Sequence, residues 1–462
     1  MALHKIEKGL DLPISGKPLQ VVRGASPCTR VAVMADDFPG MKPRMHVEEG
    51  TQVKRGQVLF EDRKQPGVLH TAPGAGRVIA IHRGDKRALQ SIVIDLSDAE
   101  RRGEPGDDEF ASFENYTGAS PEALSVDQIR ALLVESGLWT AIRERPFGKV
   151  PSPEMVAAAL FITATDTNPL APLPEVILED QLEDFRLGTK LVAQLVDGPT
   201  FLCVGEHSEL GDAAADGVRV ERFAGPHPSG TVGFHIHTLM PVSRARSVWH
   251  LGYQDVAAIG RLFKTGKLDI SRVISIAGPN VEDPRLERSR LGACISEAVS
   301  SDVAKASDKE LRTIAGSVLS GKRTNGEIFD FMGRYDVQIS ILEEDRENVF
   351  LGWLTPGANL FSVTGIYLSR IFKPKQYKFT TTTNGSLRAM VPIGLYEKVF
   401  PFDIMPTFLL RALIVGDIER AEQLGVLELG EEDLSLCTYV CPGKVNYGPL
   451  LRKNLEDIEK EG

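Results

Sequence analysis

The sequence predicts an α+β protein built from several domains, and three observations lead to this fold class. The chain has 462 residues, which exceeds what one hydrophobic core usually organises and suggests roughly three or four domains. Short strands separated by Gly and Pro turns dominate residues 41–81, whereas strands alternate with helices from residue 153 to about residue 267. The last part of the chain shows apolar side chains at helical spacing.

We expect the first domain to cover residues 1–100. Residues 1–30 carry scattered Gly and Pro and are expected to form an extended arm or a short hairpin. The short strands expected at 52–60, 67–71 and 76–81 follow an order of Val, Gly and Pro that resembles the flattened barrel of biotinyl and lipoyl carrier proteins. The expected structure is therefore a lipoyl-like barrel.

In carrier proteins the modified lysine lies on the hairpin of such a barrel, and the nearest candidate here is Lys64. It is followed by Gln65-Pro66-Gly67, which does not match a carrier's lysine turn. A barrel used as a scaffold is the favoured interpretation. A carrier or scaffold protein remains an alternative function, and a mass increase on Lys64 would support carriage.

The second domain is expected at residues 101–267 as a Rossmann-like α/β domain with a mostly parallel sheet. An acidic linker over 97–120 precedes a helix from Ser125 to Ser136, which Gly137 is expected to stop. Further strands are expected at Val156–Thr165, Thr200–Gly205 and Val218–Phe223, and helices at Glu179–Leu195 and within Ser247–Thr265.

The remaining residues are expected to form a β-rich, β-grasp-like region at 268–400 and a C-terminal helical domain at 401–462. The β-rich region contains apolar strands at Arg272–Ala277 and Leu311–Leu319 and a hairpin signal at Asn384-Gly385. The helical domain contains Thr407–Leu424 and a last helix opened by Pro449.

Composition restricts the possible functions. A net charge of −10 argues against a nucleic-acid partner, which usually requires a basic surface. No apolar run reaches the roughly 18–20 residues of a transmembrane helix, and the first residues lack the apolar core of a signal peptide. We therefore expect a cytoplasmic protein whose five cysteines are reduced.

Three motifs suggest cofactors that closer inspection does not support. Residues 316–322 almost match a phosphate-binding loop, but Arg323 stands where a Mg²⁺-binding hydroxyl is needed and an Asn-Gly turn follows, so we expect a β-turn.

His227, His235 and His237 could bind zinc, but no Cys or acidic residue has helpful spacing, and we expect histidines packed at a strand end.

Cys437 and Cys441, followed by Pro442, match the end of a bacterial ferredoxin motif. Glu431 and Leu434 occupy the positions of the two earlier cysteines. Two thiolates cannot hold a [4Fe–4S] cluster alone, so we interpret this as a degenerate iron–sulfur motif whose cysteines are kept in the core.

Residues 136–149 carry the most specific signal and read S-G-L-W-T-A-I-R-E-R-P-F-G-K. A similar loop with more glycines occurs in the flavin-bearing subunit of respiratory complex I and in the C subunit of the related ferredoxin-linked complex. Glycines there let the backbone approach the flavin phosphate. Larger side chains replace them here, and we expect those side chains to fill the space that a flavin needs.

Further blocks resemble one family along the whole chain. They lie at residues 6–16, 137–151, 166–170, 223–230, 253–256, 380–394 and 436–444, and two of them read G-L-W-T-A-I-R-E-R-P-F-G-K-V-P and L-C-T-Y-V-C-P-G-K. On these blocks the chain is identified as a member of the family formed by the A subunit of the bacterial Na+-translocating NADH:quinone reductase. Several blocks in order are more specific than any single motif.

The resemblance implies a function. Such a protein belongs to a six-subunit membrane complex that passes electrons from NADH to ubiquinone and exports Na+, with its flavins and iron–sulfur centre in other subunits. We therefore expect a chain with no cofactor, metal or independent catalytic site. The same resemblance implies a peripheral position on the cytoplasmic face of the bacterial inner membrane, docked on an integral-membrane subunit near the quinone end.

A quinone site needs an apolar, aromatic slot with a few hydrogen-bond donors. The altered loop supplies such residues, and the candidate contacts with quinone or a partner are Trp139, Arg143, Arg145, Phe147 and Lys149. The alternative is that these side chains plug the former flavin pocket and form salt bridges. A soluble NADH oxidoreductase with bound flavin is a competing function, which a yellow purified protein would support.

Overall fold

The computed structural model describes residues 2–305, 310–346 and 354–461. Within them the chain forms a mixed α/β structure with four β-sheets, in agreement with the mixed class expected from the sequence. The α-helices are Asp98–Arg102, Val126–Glu135, Pro174–Leu178, Leu182–Val192, Val232–Leu239, Tyr253–Thr265, Ile295–Ala298, Ser300–Lys305, Ser369–Phe372, Tyr396–Val399, Pro406–Val415, Ile418–Gln423, Ser435–Val440 and Tyr447–Glu461.

Two small antiparallel sheets form the N-terminal region. One has the strand order Arg30–Met34, Leu89–Leu96, Gly76–Arg83 and Gln52–Val53, and the other has the order Pro43–Met45, Val58–Asp62 and Leu69–Thr71. Their inward side chains form one apolar cluster that includes Leu59, Phe60, Ile92 and Ile94. Lys64 is exposed in the turn between two of these strands, and its backbone N–H donates to Asp62.

The largest α/β unit surrounds a six-stranded sheet. Its strand order is Leu3–Lys5, Arg219–Ala224, Thr200–Gly205, Leu160–Ala164, Val248–Gly252 and Arg143–Arg145. The first five strands are parallel, and Arg143–Arg145 is the antiparallel edge. Buried central strands of a parallel sheet are apolar on both faces, which explains the continuous runs at Leu160–Ala164 and Thr200–Gly205.

Helices cover both faces of this sheet. On one face Leu182–Val192 crosses Tyr253–Thr265 at glycines: a Cβ on Gly188 would lie 1.9 Å from the Val256 carbonyl oxygen. Only a residue without a side chain permits this approach. The other face packs against Val232–Leu239 and the C-terminal helices in a second apolar cluster, so the C-terminal helices complete the core of the α/β unit.

A second six-stranded sheet has the order Lys322–Arg323, Leu311–Ala315, Gln338–Glu343, Ser271–Ala277, Arg285–Arg290 and Leu19–Ala25. Neighbours are antiparallel except for two parallel pairs, Ser271–Ala277 with Gln338–Glu343 and Arg285–Arg290 with Leu19–Ala25. The N-terminal arm therefore contributes Leu3–Lys5 to the α/β sheet and Leu19–Ala25 to this one, and does not fold back on itself as a hairpin.

Three other predictions were wrong. Residues around Asn384-Gly385 form no hairpin, because the Thr381 and Arg388 amides donate to the distant carbonyls of Glu343 and Gly443. His235 and His237 lie on the helix Val232–Leu239 and not on a strand. The predicted helix Thr407–Leu424 is two helices, Pro406–Val415 and Ile418–Gln423, separated by Gly416 with φ of +72°.

Candidate functional site

The altered loop begins where the helix Val126–Glu135 ends. Ser125 caps this helix by accepting from the Gln128 amide. Gly137 has φ of +79°, and a Cβ there would lie 2.3 Å from Thr71 Oγ1. Thr71 Oγ1 donates to the Ser136 carbonyl at 2.9 Å, which joins the loop to the N-terminal region.

Trp139 is completely buried beside this turn. Its Nε1 donates to the Pro151 carbonyl at 2.8 Å, and its ring meets Trp249 edge-on with 5.5 Å between centroids. The Arg130 guanidinium lies 6.0 Å from the Trp139 ring centroid. The indole therefore fills the space beneath the loop, and its polar atom is satisfied within the protein.

Arg143 and Arg145 both extend from the edge strand but contact different partners. The Arg143 guanidinium lies 4.7 Å from the ring centroid of Tyr335, whose hydroxyl donates to the Thr140 carbonyl. Arg145 is 2% exposed and pairs with Asp433 at 3.6 Å and Glu432 at 3.7 Å. Its Nε and Nη1 are buried without a hydrogen-bond partner.

The buried carboxyl of Asp433 lies at the centre of this arrangement. Burial raises its pKa to about 7, and the neighbouring Glu432 adds to that effect against the opposing charge of Arg145. The Gly430 amide donates to Asp433 at 2.7 Å. Burial likewise raises the pKa of Asp166 to about 6, within the block at residues 166–170 that resembles the family.

Phe147 and Lys149 attach the end of the loop to the last helix. The Phe147 carbonyl accepts from Arg452 at 2.6 Å, and Lys149 forms an ion pair with Glu459. Phe147 has φ of +80°, follows a cis proline bond and packs against the second apolar cluster. The five predicted site residues thus lie on one loop but face different neighbours, and they do not converge on one opening.

The loop does not fit the glycine-lined flavin loop that its sequence resembles. A phosphate cradle needs backbone N–H groups that a ligand can approach closely. The Trp139 indole, the Arg143 and Arg145 guanidinium groups and their ion pairs occupy the surroundings of this backbone instead.

An apolar cavity lies on the other side of the loop. It opens between the N-terminal region, the loop and the second six-stranded sheet. Its walls include Phe38, Thr71, Leu138, Thr140, Ile270 and Met332. None of the five predicted side chains lines it, although their loop neighbours Gly137, Leu138 and Thr140 do.

Three ionisable side chains also line this cavity: Asp37, His70 and Arg334. Asp37 accepts from the Arg334 amide at 2.7 Å, and Arg334 Nη1 donates to Asp255 at 2.8 Å. Arg334 Nη2 is buried and has no partner. Burial, with a smaller effect from Arg334, lowers the pKa of His70 to about 3, so the imidazole is neutral.

Sequence reasoning missed Phe38, His70, Met332 and Arg334. They belong to three separate segments, and their pattern carries no local motif. His70 stacks on Phe60 with 4.3 Å between the ring centroids, and this contact places His70 in the cavity wall. The spacing of residues in the sequence does not reveal such a contact. Contacts between segments that are distant in sequence bring these side chains together.

The cysteine pair lies in the core of the C-terminal helices. Cys437 is fully buried on Ser435–Val440, and burial raises the pKa of its thiol above the usual range. The Cys441 sulfur accepts from the Tyr396 hydroxyl at 3.1 Å and the Val445 amide at 3.4 Å. Burial alone would raise the Cys441 pKa, but these donors and Tyr447 lower it overall.

The histidines are occupied by local contacts. His235 Nε2 lies 3.0 Å from the Ser229 carbonyl, and His237 lies 2.6 Å from Glu428 and accepts from the Asp403 amide. In the described parts of the chain, no group of three or more His, Cys, Asp or Glu side chains is arranged to hold a metal ion. Gly316 starts a turn, and Lys322–Arg323 is a short strand, as expected for a β-turn.

No helix within residues 2–305, 310–346 and 354–461 is long and apolar enough to cross a membrane.

Comparison with known proteins assigns the class to which these domains belong. Three family models match in order: an NqrA N-terminal barrel-sandwich hybrid domain at residues 4–97, an NqrA second alpha/beta domain at 124–268 and an NQRA C-terminal domain at 273–326. All three matches are domains of one and the same component of a redox complex. Relatives that align over their full length identify that component.

Proteins from Pasteurella multocida, Cellvibrio japonicus and Pseudomonas aeruginosa, each the A subunit of a Na(+)-translocating NADH-quinone reductase, are 50% identical to this chain. The alignments cover 99% of this chain and 99–100% of each relative. The chain belongs to this family, the A subunit of the Na+-translocating NADH-quinone reductase. A solved NAD+-reducing nickel–iron hydrogenase also aligns, with 12% identity, 83% coverage of this chain, 78% of that chain and a TM-score of 0.39, which is too weak to carry an argument.

Proposed function

We propose that this chain is a peripheral, cofactor-free subunit of a six-subunit complex that oxidises NADH, reduces ubiquinone and exports Na+, and that it acts near the quinone end. Its position would be the cytoplasmic face of the inner membrane, docked on an integral-membrane subunit. NADH, flavins and the iron–sulfur centre would be handled by other subunits. Family membership supports the complex, and the altered loop supports the missing cofactor.

The cavity beside the loop carries the quinone part of this proposal. Its walls are mainly apolar, and a buried guanidinium N–H without a partner, Arg334 Nη2, belongs to one of its lining residues. A quinone ring needs apolar walls and a donor for a carbonyl oxygen. Arg334 would supply that donor, and a hydrogen bond from a charged donor is stronger than a neutral one.

The five loop residues would then position the wall. Trp139 lies between Leu138 and Thr140 and is held by Pro151 and Trp249. Arg143 contacts Tyr335, the neighbour of Arg334. Arg145, Phe147 and Lys149 fix the loop to the C-terminal helices. A partner protein could contact the surface where the loop and these helices meet.

Reduction would require a neighbouring cofactor. The side chains around the cavity contain no reducible group, so electrons would come from a cofactor held by another subunit. This chain would bind and orient quinone. The neutral His70 and Asp37, which forms an ion pair with Lys322, would keep the charge within the cavity low while Arg334 provides one positive group.

Binding of short-chain ubiquinone to the purified full-length chain tests the cavity. We expect Arg334→Met to raise the dissociation constant about tenfold or more, as expected when a charged hydrogen bond worth about 1.5–3 kcal/mol is lost. Arg288→Met is the matched control, because Arg288 lies outside this cavity and pairs with Asp180 on the surface.

A second variant separates lost binding from lost folding. Met332→Trp should fill the cavity and weaken quinone binding while Arg334 keeps its pair with Asp255. Thermal melting of each variant identifies misfolded protein. Unchanged binding in folded Arg334→Met and Met332→Trp, or loss only in variants far from the loop, would place quinone elsewhere.

A further inference from the structure

Residues 354–396 differ in charge from the rest of the chain. They contain Arg370, Lys373, Lys375, Lys378 and Arg388 and no acidic residue. All five basic side chains are exposed. Because the whole chain carries −10 and this segment carries +5, the remaining residues carry −15.

The same segment exposes large apolar side chains to an unusual extent. Ile366, Ile371 and Phe372 are 72%, 71% and 68% exposed, and Leu387 is 74% exposed. Isolated exposed apolar residues are common, but Ile371 and Phe372 are consecutive and expose two large apolar side chains next to each other, which is typical of an interaction surface. Ile371 and Phe372 are followed at once by Lys373 and Lys375, so apolar and basic groups are adjacent.

The backbone of this segment is fixed, so the exposure has a structural cause. The Leu368 amide donates to the Pro356 carbonyl at 2.9 Å, and Ser369 Oγ donates to the Leu360 carbonyl at 2.6 Å. The Tyr377 amide donates to the Pro13 carbonyl in the N-terminal arm. These bonds hold the compact loop that displays Ile366, Ile371 and Phe372.

We propose that residues 354–396 form a membrane-binding surface that takes the anionic headgroups of phospholipids, with Ile371 and Phe372 entering the headgroup boundary. Juxtaposed basic and large apolar side chains are the composition that binds anionic bilayers. The negative surface potential of the bilayer would attract this basic segment and repel the acidic remainder of the chain. The charge distribution would therefore also orient the chain relative to the membrane.

The composition favours lipid over a protein partner. Protein interfaces are depleted of Lys, and basic residues there are usually matched by acidic neighbours. Three of the five basic residues here are lysines, and only Lys378 has a described ion pair, with Glu343. A bilayer carrying anionic lipid supplies the missing negative charge without a specific partner residue.

Cosedimentation of the purified full-length chain with vesicles tests the proposal. We expect binding to vesicles of phosphatidylcholine with phosphatidylglycerol, little binding to phosphatidylcholine alone, and weakening by salt. The double variant Lys373→Gln/Lys375→Gln should bind roughly 25-fold more weakly, at about fivefold for each basic residue. The variant Ile371→Ser/Phe372→Ser should also lose binding at low salt.

Two matched controls lie outside the segment. Lys8→Gln/Lys17→Gln removes two exposed lysines, and Leu19→Ser/Val21→Ser removes two exposed apolar side chains of an edge strand. Both should bind like the unaltered chain. Absence of binding to phosphatidylglycerol vesicles, equal binding to both vesicle types, or equal losses in the controls would overturn the proposal. If the purified chain binds no vesicles, but the variant Lys373→Gln/Lys375→Gln dissociates from its complex, the surface would instead be assigned to a protein partner.

Discussion

Replacing Trp139 by Ala tests whether the altered loop is a packed part of the core. Large-to-small changes of a buried Trp cost about 3–5 kcal/mol. The Ala variant also loses the hydrogen bond to the Pro151 carbonyl, worth about 1 kcal/mol. Part of the first figure is the edge-on contact with Trp249. The free energy of unfolding should therefore fall by about 4–6 kcal/mol.

The assay is unfolding followed by fluorescence and by thermal melting. For a unit of about 150–250 residues each kcal/mol lowers the melting temperature by about 2–4 °C, so we expect a decrease of about 8–24 °C. Trp139→Phe keeps a ring against Trp249 and should lose about half as much. Added indole should partly restore Trp139→Ala by filling its cavity. A melting temperature within a degree of the unaltered chain would refute the packed-loop description.

Three further predictions concern the same region. Asp433→Asn should remove a pH dependence of stability. Because burial raises the folded-state pKa of Asp433 above its unfolded value, the unaltered chain should lose stability as pH rises through the range between the two pKa values, measured in denaturant titrations, and the variant should not. A double-mutant cycle of Lys149→Met and Glu459→Gln should give a coupling energy of at most about 1 kcal/mol, because the pair is partly exposed; a value of several kcal/mol would contradict this. Ser125→Ala should cost about 1 kcal/mol through loss of the N-cap, measured by chemical unfolding, and an unchanged midpoint would argue against the cap.

Local signals in the sequence predicted the elements that local interactions determine. A helix from Ser125 to Ser136 was predicted from Ile129, Leu132 and Leu133 on one face, and all three are buried in Val126–Glu135. Gly137, the predicted stop, follows Ser136 with a positive φ. After Pro449 the sequence places Leu451, Leu455 and Ile458 at the i, i+4 and i+7 spacing that predicts the last helix, and all three are buried. The strand Thr200–Gly205 was predicted with its observed bounds.

Long-range partners determine the features that the sequence did not predict. The Asn384-Gly385 pair has the usual hairpin chemistry, but the flanking backbone bonds to the strand Gln338–Glu343 and to Gly443. The alternation of His235, Ile236 and His237 covers only three residues. Such a short pattern does not distinguish a strand from a helix. The cavity combines side chains from residues 32–38, 70–73, 137–140, 268–292 and 332–334, and no spacing rule joins such segments.

The central claim is that the altered loop and the cysteine pair leave this chain without a redox cofactor, and an absorbance spectrum with metal analysis of the purified full-length chain tests it most directly. We predict a protein without visible flavin absorbance, without flavin released on denaturation and without iron. Flavin or iron near one equivalent per chain would contradict the claim, because residues 137–149 or the Cys437–Cys441 pair would then still hold a cofactor.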